Sequence, residues 1–209
     1  MPNATPMIQM TDEFYQQYQI PNLPLPMSVE SLTNFAGNDS LSCAIIADNL
    51  ADYLADDPDE ALRYSQIIAR MAYQAGVAEG QQGKHEDAGY YFTMAKQYEP
   101  YNVDIAAALA MSYLNTHNYS RAIQEYESAV GLMRSYAISA QVWLPLANLY
   151  FNTGDLRNGK RVVEDYFVQV MQMRPDQFKE LVEQGYQLCQ QHGFNPTMTQ
   201  MFAAKSSPL

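Results

Sequence analysis

The side chains able to bind metals or act as nucleophiles are few in this chain of 209 residues, which has three histidines and two cysteines. His85, His117 and His192 fall near turns of successive sequence blocks, so they are expected at different levels of a stack and not around one metal. Cys43 and Cys189 are too few and too far apart for a disulfide framework or a thiolate metal site. This cysteine usage favours a reducing compartment.

Catalytic motifs are also missing from the sequence. It contains no glycine-rich phosphate loop, zinc-protease helix motif or nucleophile elbow. Glu86 and Asp87, which follow His85, are explained by the preference for acidic residues at a helix start. We therefore expect a protein that is not an enzyme and that has no metal or cofactor.

The net charge of −11 is unevenly distributed. Ten acidic residues and no Lys or Arg fall within residues 1–62, whereas the remainder of the chain is nearly balanced. So acidic a chain is a poor partner for nucleic acids, whose binding depends on Lys and Arg that neutralise phosphates. The acidic end serves either solubility or contact with a basic partner.

Targeting and membrane signals are likewise not found in the sequence. The first twenty residues contain no basic residue and no continuous apolar run. No stretch approaches the ~18 apolar residues of a membrane span. These features predict a cytoplasmic protein that does not insert into membranes.

Two consecutive blocks of 34 residues, 69–102 and 103–136, share one pattern of small and large side chains. Small residues at block positions 8, 20 and 27 suit contacts between antiparallel helices, and large residues at 7, 11, 17 and 24 would fill the gaps. The pattern comprises Gly76, Gly83, Ala88, Phe92, Ala95 and Pro100 in the first block, and Leu109, Ala110, Tyr113, Tyr119, Ala122, Tyr126 and Ala129 in the second. A weaker third block, 140–175, carries Gly159 at position 20 but the large Tyr166 at position 27.

The two blocks resemble the tetratricopeptide repeat (TPR), a helix–turn–helix unit of 34 residues. This resemblance implies an all-α solenoid of helical hairpins, with about eight helices in this chain. Residues 1–39, rich in proline, are expected to form a flexible or surface-docked extension, and residues 195–209 a frayed tail. The helical domain is then 40–194, with a first helix over 40–55 and a closing helix over 176–192.

The apolar pattern and the breakers set the expected helix limits within the repeats. The chain favours helices over Pro58–Gln81, Glu86–Tyr98, Val103–Thr116 and Tyr119 to about Tyr136, with two more in the third block. Asp57 followed by Pro58 is typical of a helix start.

The resemblance also implies a concave peptide-binding groove, lined by positions 2, 5, 9, 12 and 13 of each repeat. The peptide-binding residues that it implies are Arg70, Tyr73, Val77, Met111, Leu114, Asn115, Leu144, Asn148 and Phe151. The same positions also select Gly80, Gln81, Asp104, Ala107, Gln141 and Asn152. The middle of this groove is apolar, and Asn and Gln side chains lie at its edges. Such a groove suits an apolar peptide, because the amides can form hydrogen bonds with the peptide backbone. The alternative is that the chain itself covers some of these residues.

In layout, size and acidity the chain is similar to the three-repeat chaperones of bacterial type III secretion. Their clients present Pro-x-Leu-x-x-Pro segments, and Pro21, Leu23 and Pro26 match that spacing. We therefore hypothesise that residues 20–27 cover the protein's own groove until a client displaces them.

The sequence thus predicts an adaptor or chaperone that holds an apolar segment of a client protein, with secretion chaperones as the nearest family. The alternative is a scaffold subunit that uses its acidic end and the repeat ends as permanent interfaces. Whether the protein is a homodimer or part of a larger complex stays open at this point. A regulatory domain that acts on an enzyme in trans is a third interpretation.

Overall fold

The computed structural model describes residues 7–8, 27–28, 43–44, 47–48, 51, 58–133, 140–170 and 175–194. The regular secondary structure within these ranges is helical apart from one pair of two-residue strands. The helices are α1 (Pro58–Gln81), α2 (His85–Tyr98), α3 (Val103–Asn115), α4 (Tyr119–Leu132), α5 (Ala140–Asn152), α6 (Leu156–Val170) and α7 (Pro175–Gln191). The chain divides into two compact units, Met1–Glu99 and Pro100–Leu209.

The predicted all-α fold is confirmed, and so is the predicted extent of α1. The other helices match their predictions to within a few residues wherever their ends are described. The expected helix over 40–55 is represented by the helical residues Cys43, Ala44, Ala47, Asp48 and Ala51. The tail 195–209, and the N-terminal extension apart from residues 7–8 and 27–28, lie outside the described residues.

In the first unit, α1 and α2 form a hairpin whose closest approach is at a glycine. A Cβ at Gly76 would lie 2.7 Å from Cε1 of Phe92, so only glycine lets this ring reach the α1 backbone. The ring of Phe92 also lies 5.6 Å from that of Tyr73, centroid to centroid. Gly76 and Phe92 stand at repeat positions 8 and 24, where the pattern predicts contact between the helices.

The N-terminal part of this unit contacts the hairpin through Asp48. Its carboxylate accepts hydrogen bonds from the hydroxyls of Tyr90 and Tyr91, at 3.2 and 3.3 Å. Burial, followed by the charge of Asp48, raises the pKa of Tyr91. Met7–Ile8 and Met27–Ser28 form the antiparallel strand pair, β1 and β2, with Met7 opposite Ser28.

Four of the described helices end in one type of turn. The residues Gly83, His117, Gly154 and Gly193 have positive φ values of 79°, 60°, 84° and 62°. In each case the next residue donates its N–H to a carbonyl five residues back, as from Asn118 to Tyr113 at 2.8 Å. This Schellman arrangement satisfies the last carbonyls of a helix and reverses the chain. Such turns join α1 to α2, α3 to α4, and α5 to α6.

The second unit has its own core, built where α3, α4, α5, α6 and α7 meet. Ala122 and Ala129 are 0 % exposed, as their repeat positions predict, and Ala88 and Ala95 of the first unit are also buried. Asn102 begins α3 as an N-cap that accepts from the N–H of Asp104 and of Ile105. Such caps satisfy amides that a helix start leaves without intrahelical partners.

The third hairpin explains the large residue at its position 27. Tyr166 is fully buried, and its ring packs beside Gly185 of α7, where an added Cβ would lie 3.1 Å from Cε1 of the tyrosine. The Tyr166 hydroxyl donates to the carbonyl oxygen of Leu181 at 2.9 Å. The small partner is thus supplied by the next helix and not by the repeat itself.

Candidate functional site

A cavity of about 660 Å³ opens in the second unit among α3, the start of α4, α5 and α7. This volume is within the range of about 300–1,000 Å³ that is typical of ligand pockets. The described lining residues carry no formal charge, and most of them are apolar. They are Leu114, Tyr119, Leu144, Pro145, Asn148, Leu149, Asn152, Thr153 and Leu188.

The depth of the lining side chains separates a floor from a rim. Leu149 and Leu188 are buried, at 3 % and 8 % exposure, and form the floor. Tyr119 is 43 % exposed, and Asn152 is also exposed at the rim. An occupant would therefore meet apolar groups inside and hydrogen-bonding groups at the edge.

Pro145 is an unexpected lining residue of the cavity, because it is a proline inside the helix α5. Proline has no backbone N–H, so the carbonyl of Gln141, one turn earlier, receives no intrahelical hydrogen bond from it. Gln141 is exposed, so water can solvate that carbonyl. The break in the hydrogen-bond ladder thus falls in the helix that supplies most of the lining.

The end of α7 holds one side of the site in place. Nε2 of His192 lies 2.7 Å from Oδ1 of Asn148, and the imidazole stacks on the ring of Phe151 with centroids 4.7 Å apart. Phe194 lies beside the same ring at 6.3 Å, with Nζ of Lys160 5.0 Å from its own centroid. These contacts fix the orientation of the Asn148 amide.

A polar cluster ties together the helices that carry the lining. Oε1 of Glu127 on α4 accepts hydrogen bonds from the hydroxyl of Tyr150 on α5, at 2.8 Å, and from Arg161 on α6, at 2.7 Å. Burial and the bond to Glu127 raise the pKa of Tyr150 to about 12. One carboxylate oxygen of Glu127 thus joins α4 to both α5 and α6.

The six predicted peptide-binding residues of the second unit are found in three situations. Leu114, Leu144 and Asn148 line the cavity. Met111 and Asn115 are exposed on α3, near Leu114, and Met111 retains 49 % exposure. Phe151, in contrast, is only 7 % exposed, because the chain's own His192 and Phe194 lie against it.

The remaining predicted residues belong to the first unit. Arg70 is exposed on α1, whereas Tyr73 and Val77 are half-buried. Tyr73 packs against Phe92 within its own hairpin. Their role as peptide contacts stays a prediction.

Five lining residues were not among those predicted to bind a peptide: Tyr119, Pro145, Leu149, Thr153 and Leu188. Tyr119 stands at position 17, where the repeat pattern predicts a gap-filling core residue. Its ring is instead 43 % exposed. Leu188 comes from the closing helix, which the repeat pattern did not include in the groove.

The histidines have no shared site in the described chain. His85 begins α2, while Nδ1 of the exposed His117 lies 3.1 Å from the hydroxyl of Tyr119. Among the described residues, no three His, Cys, Asp or Glu side chains come together as a metal site. No described helix combines the length and the apolar character needed to cross a membrane.

The sequence matches no protein-family model, and no curated protein matches it either.

Proposed function

We propose that this protein is a non-enzymatic adaptor or chaperone that binds an apolar segment of a client polypeptide in the cavity of the second unit. In this proposal the helical hairpins form a TPR-like solenoid of about eight helices, and the protein acts in the cytoplasm, with secretion of the client as one setting. The observation that carries the proposal is a cavity of about 660 Å³ whose described lining is uncharged and largely apolar and includes four residues at predicted groove positions, Leu114, Leu144, Asn148 and Asn152.

The lining fits an apolar, uncharged peptide better than a charged one. A carboxylate or an ammonium group would lose its hydration there without meeting an opposite charge among the described lining residues. Asn148 and Asn152 can pair with a peptide backbone, since each amide both donates and accepts. Met111 extends the apolar surface one turn along α3, and its flexible side chain adapts to different sequences.

The test uses a labelled peptide with the sequence of residues 19–28, Gln-Ile-Pro-Asn-Leu-Pro-Leu-Pro-Met-Ser, and fluorescence anisotropy. We expect binding, and we expect Leu114→Glu and Leu144→Glu each to weaken it at least about tenfold, because each introduces an unpaired charge into the cavity. Leu156→Glu is the matched control, because Leu156 is 55 % exposed at the start of α6 and does not line the cavity. Circular dichroism verifies that all variants keep their helicity.

Phe151 is unsuitable as a binding variant. A glutamate at this nearly buried position would disturb the core, and a loss of binding would then have two explanations. Equal affinity of the wild type, Leu114→Glu and Leu144→Glu would show that the cavity is not the binding site. A peptide with Leu23 and Leu25 replaced by Glu should not bind.

Self-occupancy by residues 20–27 is tested with a variant that lacks residues 1–30. In the structure Met27–Ser28 pairs with Met7–Ile8, and residues 20–26 lie outside the described ranges. If residues 20–27 cover the groove, the deletion should increase the affinity for the labelled peptide. An unchanged affinity would contradict the hypothesis.

A further inference from the structure

His192 follows α7 directly, in the turn that ends this helix. Its N–H donates to the carbonyl of Leu188 at 3.3 Å, and the N–H of Phe194 donates to that of Cys189 at 2.8 Å. Gly193, which lies between them, has the positive φ of 62° that glycine adopts without strain. The backbone of His192 is therefore fixed to the end of α7, whose Leu188 side chain forms part of the cavity floor.

The imidazole of His192 is held by a ring contact and a hydrogen bond. The ring stacks on that of Phe151, with centroids 4.7 Å apart and an angle of 23° between the planes. Phe151 is itself buried against Gly159, where an added Cβ would lie 2.7 Å from Cε1 of the ring. The Nε2 atom of His192 lies 2.7 Å from Oδ1 of Asn148. The imidazole therefore has a defined orientation, in which Nε2 points at Asn148.

This hydrogen bond determines which end of the Asn148 amide remains for an occupant of the cavity. An amide oxygen can only accept, so Nε2 of His192 donates to Oδ1. The two N–H groups on Nδ2 of Asn148 have no partner among the described residues. Because Asn148 lines the cavity, these N–H groups are available to a hydrogen-bond acceptor there.

Asn148 differs in depth from the other polar residues of the described lining. Its side chain is half-buried, whereas Tyr119, Asn152 and Thr153 are exposed at the rim. Water can solvate the rim groups whether or not the cavity is occupied. An occupant that fills the cavity displaces water from Asn148, so Nδ2 loses hydrogen bonds unless the occupant supplies an acceptor.

We propose that His192 is a positioning residue that presents the Asn148 amide as a hydrogen-bond donor, so that the cavity selects segments which place a main-chain carbonyl against Nδ2. This inference rests on the proposed function, since the acceptors of an apolar polypeptide segment are its main-chain carbonyls. A segment that placed an N–H at the same depth would set donor against donor and leave both unpaired.

The tautomer of His192 tests this arrangement in the absence of a peptide. Nitrogen-15 NMR of the full-length protein at about pH 9, where free histidine side chains are neutral, distinguishes the two tautomers. The signals of His192 are identified by their loss in His192→Gln. We expect the proton on Nε2. A proton on Nδ1 would overturn the proposal, because Nε2 could then only accept and Asn148 would have to turn Nδ2 towards it.

Two variants separate the hydrogen bond of His192 from its ring contact. His192→Phe keeps a ring beside Phe151 without a donor, whereas His192→Gln keeps a terminal N–H donor without a ring. With the labelled peptide of residues 19–28, we expect His192→Phe to weaken binding about two- to tenfold and His192→Gln to restore it. The reverse order of affinities would overturn the proposal, since it would assign the effect to stacking. His85→Phe is the matched control, because His85 begins α2 and does not line the cavity.

The side-chain amide of Asn148 reports the contact with the peptide directly. Its two N–H signals, identified by their loss in Asn148→Asp, should shift when the unlabelled peptide saturates the wild type. Unchanged signals in a protein that binds the peptide would overturn this inference and leave the proposed function standing. A wild type that does not bind the peptide would overturn both. The tautomer and these signals keep the test valid even if His192→Phe fails to fold.

Discussion

At the residue scale, contact between the helices of a hairpin depends on single missing side chains. A Cβ at Gly159 of α6 would lie 2.7 Å from Cε1 of Phe151 on α5. The ring cannot easily move away, because His192 and Phe194 lie against it. Gly76 and Phe92 repeat this arrangement in the first unit, with the glycine on the first helix instead of the second.

Gly159→Ala should therefore destabilise the protein, even though alanine is the better helix former. We expect a loss of about 1–3 kcal/mol in the free energy of unfolding, since overpacking of a filled core costs this much. Gly131→Ala is the control, because an added Cβ at this helical glycine meets nothing within 4 Å. Urea denaturation provides the measurement, and equal midpoints for wild type and Gly159→Ala would contradict the close contact.

The sequence predicts such contacts only where both partners belong to one repeat. Gly76 and Phe92 occupy expected positions of the same block, so their contact is readable from the spacing. The contact of Tyr166 with Gly185 is not readable from the spacing, because Gly185 lies on α7, outside the repeat. The exposure of Tyr119 was also missed, since repeat position alone does not reveal that a cavity opens beside it.

At the scale of elements, the turns determine where each helix reverses. Three of the four left-handed turn residues are glycine, whereas His117 adopts φ 60° with a β-carbon. That conformation costs a non-glycine residue roughly 1–2 kcal/mol. The second hairpin thus carries backbone strain that the other turns avoid.

His117→Gly should raise the free energy of unfolding by up to about 1 kcal/mol, because the relief of strain exceeds the entropic cost of glycine. The exposed contact with Tyr119 that it removes is worth little. Gly154→Ala is the reverse experiment and should cost about 1 kcal/mol, since no neighbour lies within 4 Å and only the backbone is strained. A stabilising Gly154→Ala, measured by thermal unfolding, would refute this account of the turns.

The helix limits were largely predictable because their signals are local. Pro58 marks the start of α1, and Pro100 follows soon after the end of α2 at Tyr98. Pro145 shows the opposite case, since a proline inside a predicted helix normally indicates a break. Packing of Trp143, Leu146 and Ala147 into the core keeps α5 continuous across it.

At the scale of the whole molecule, the chain consists of two compact units that meet in sequence between Glu99 and Pro100. The core around Tyr126, Leu146 and Phe167 is formed by described residues of the second unit. The cavity is also lined from this unit. The described residues of this core and of the cavity lining therefore all belong to the second unit.

A fragment of residues 100–209 should fold by itself and bind the labelled peptide. We expect a cooperative thermal transition and an affinity within about threefold of that of a variant lacking residues 1–30, since every described lining residue of the cavity belongs to the fragment. Circular dichroism and fluorescence anisotropy provide the measurements. A fragment without a cooperative transition would show that the first unit is needed to stabilise the second.

Each compact unit contains one buried thiol. Cys43 is 0 % exposed and its Sγ lies 3.3 Å from Oε1 of Gln74, while Cys189 is 1 % exposed and burial raises its pKa to about 11. Neither sulfur can react with an alkylating reagent until its surroundings open, because the reagent needs both access and a thiolate. The alkylation rates of Cys43 and Cys189 therefore report separately how often the first and the second unit open.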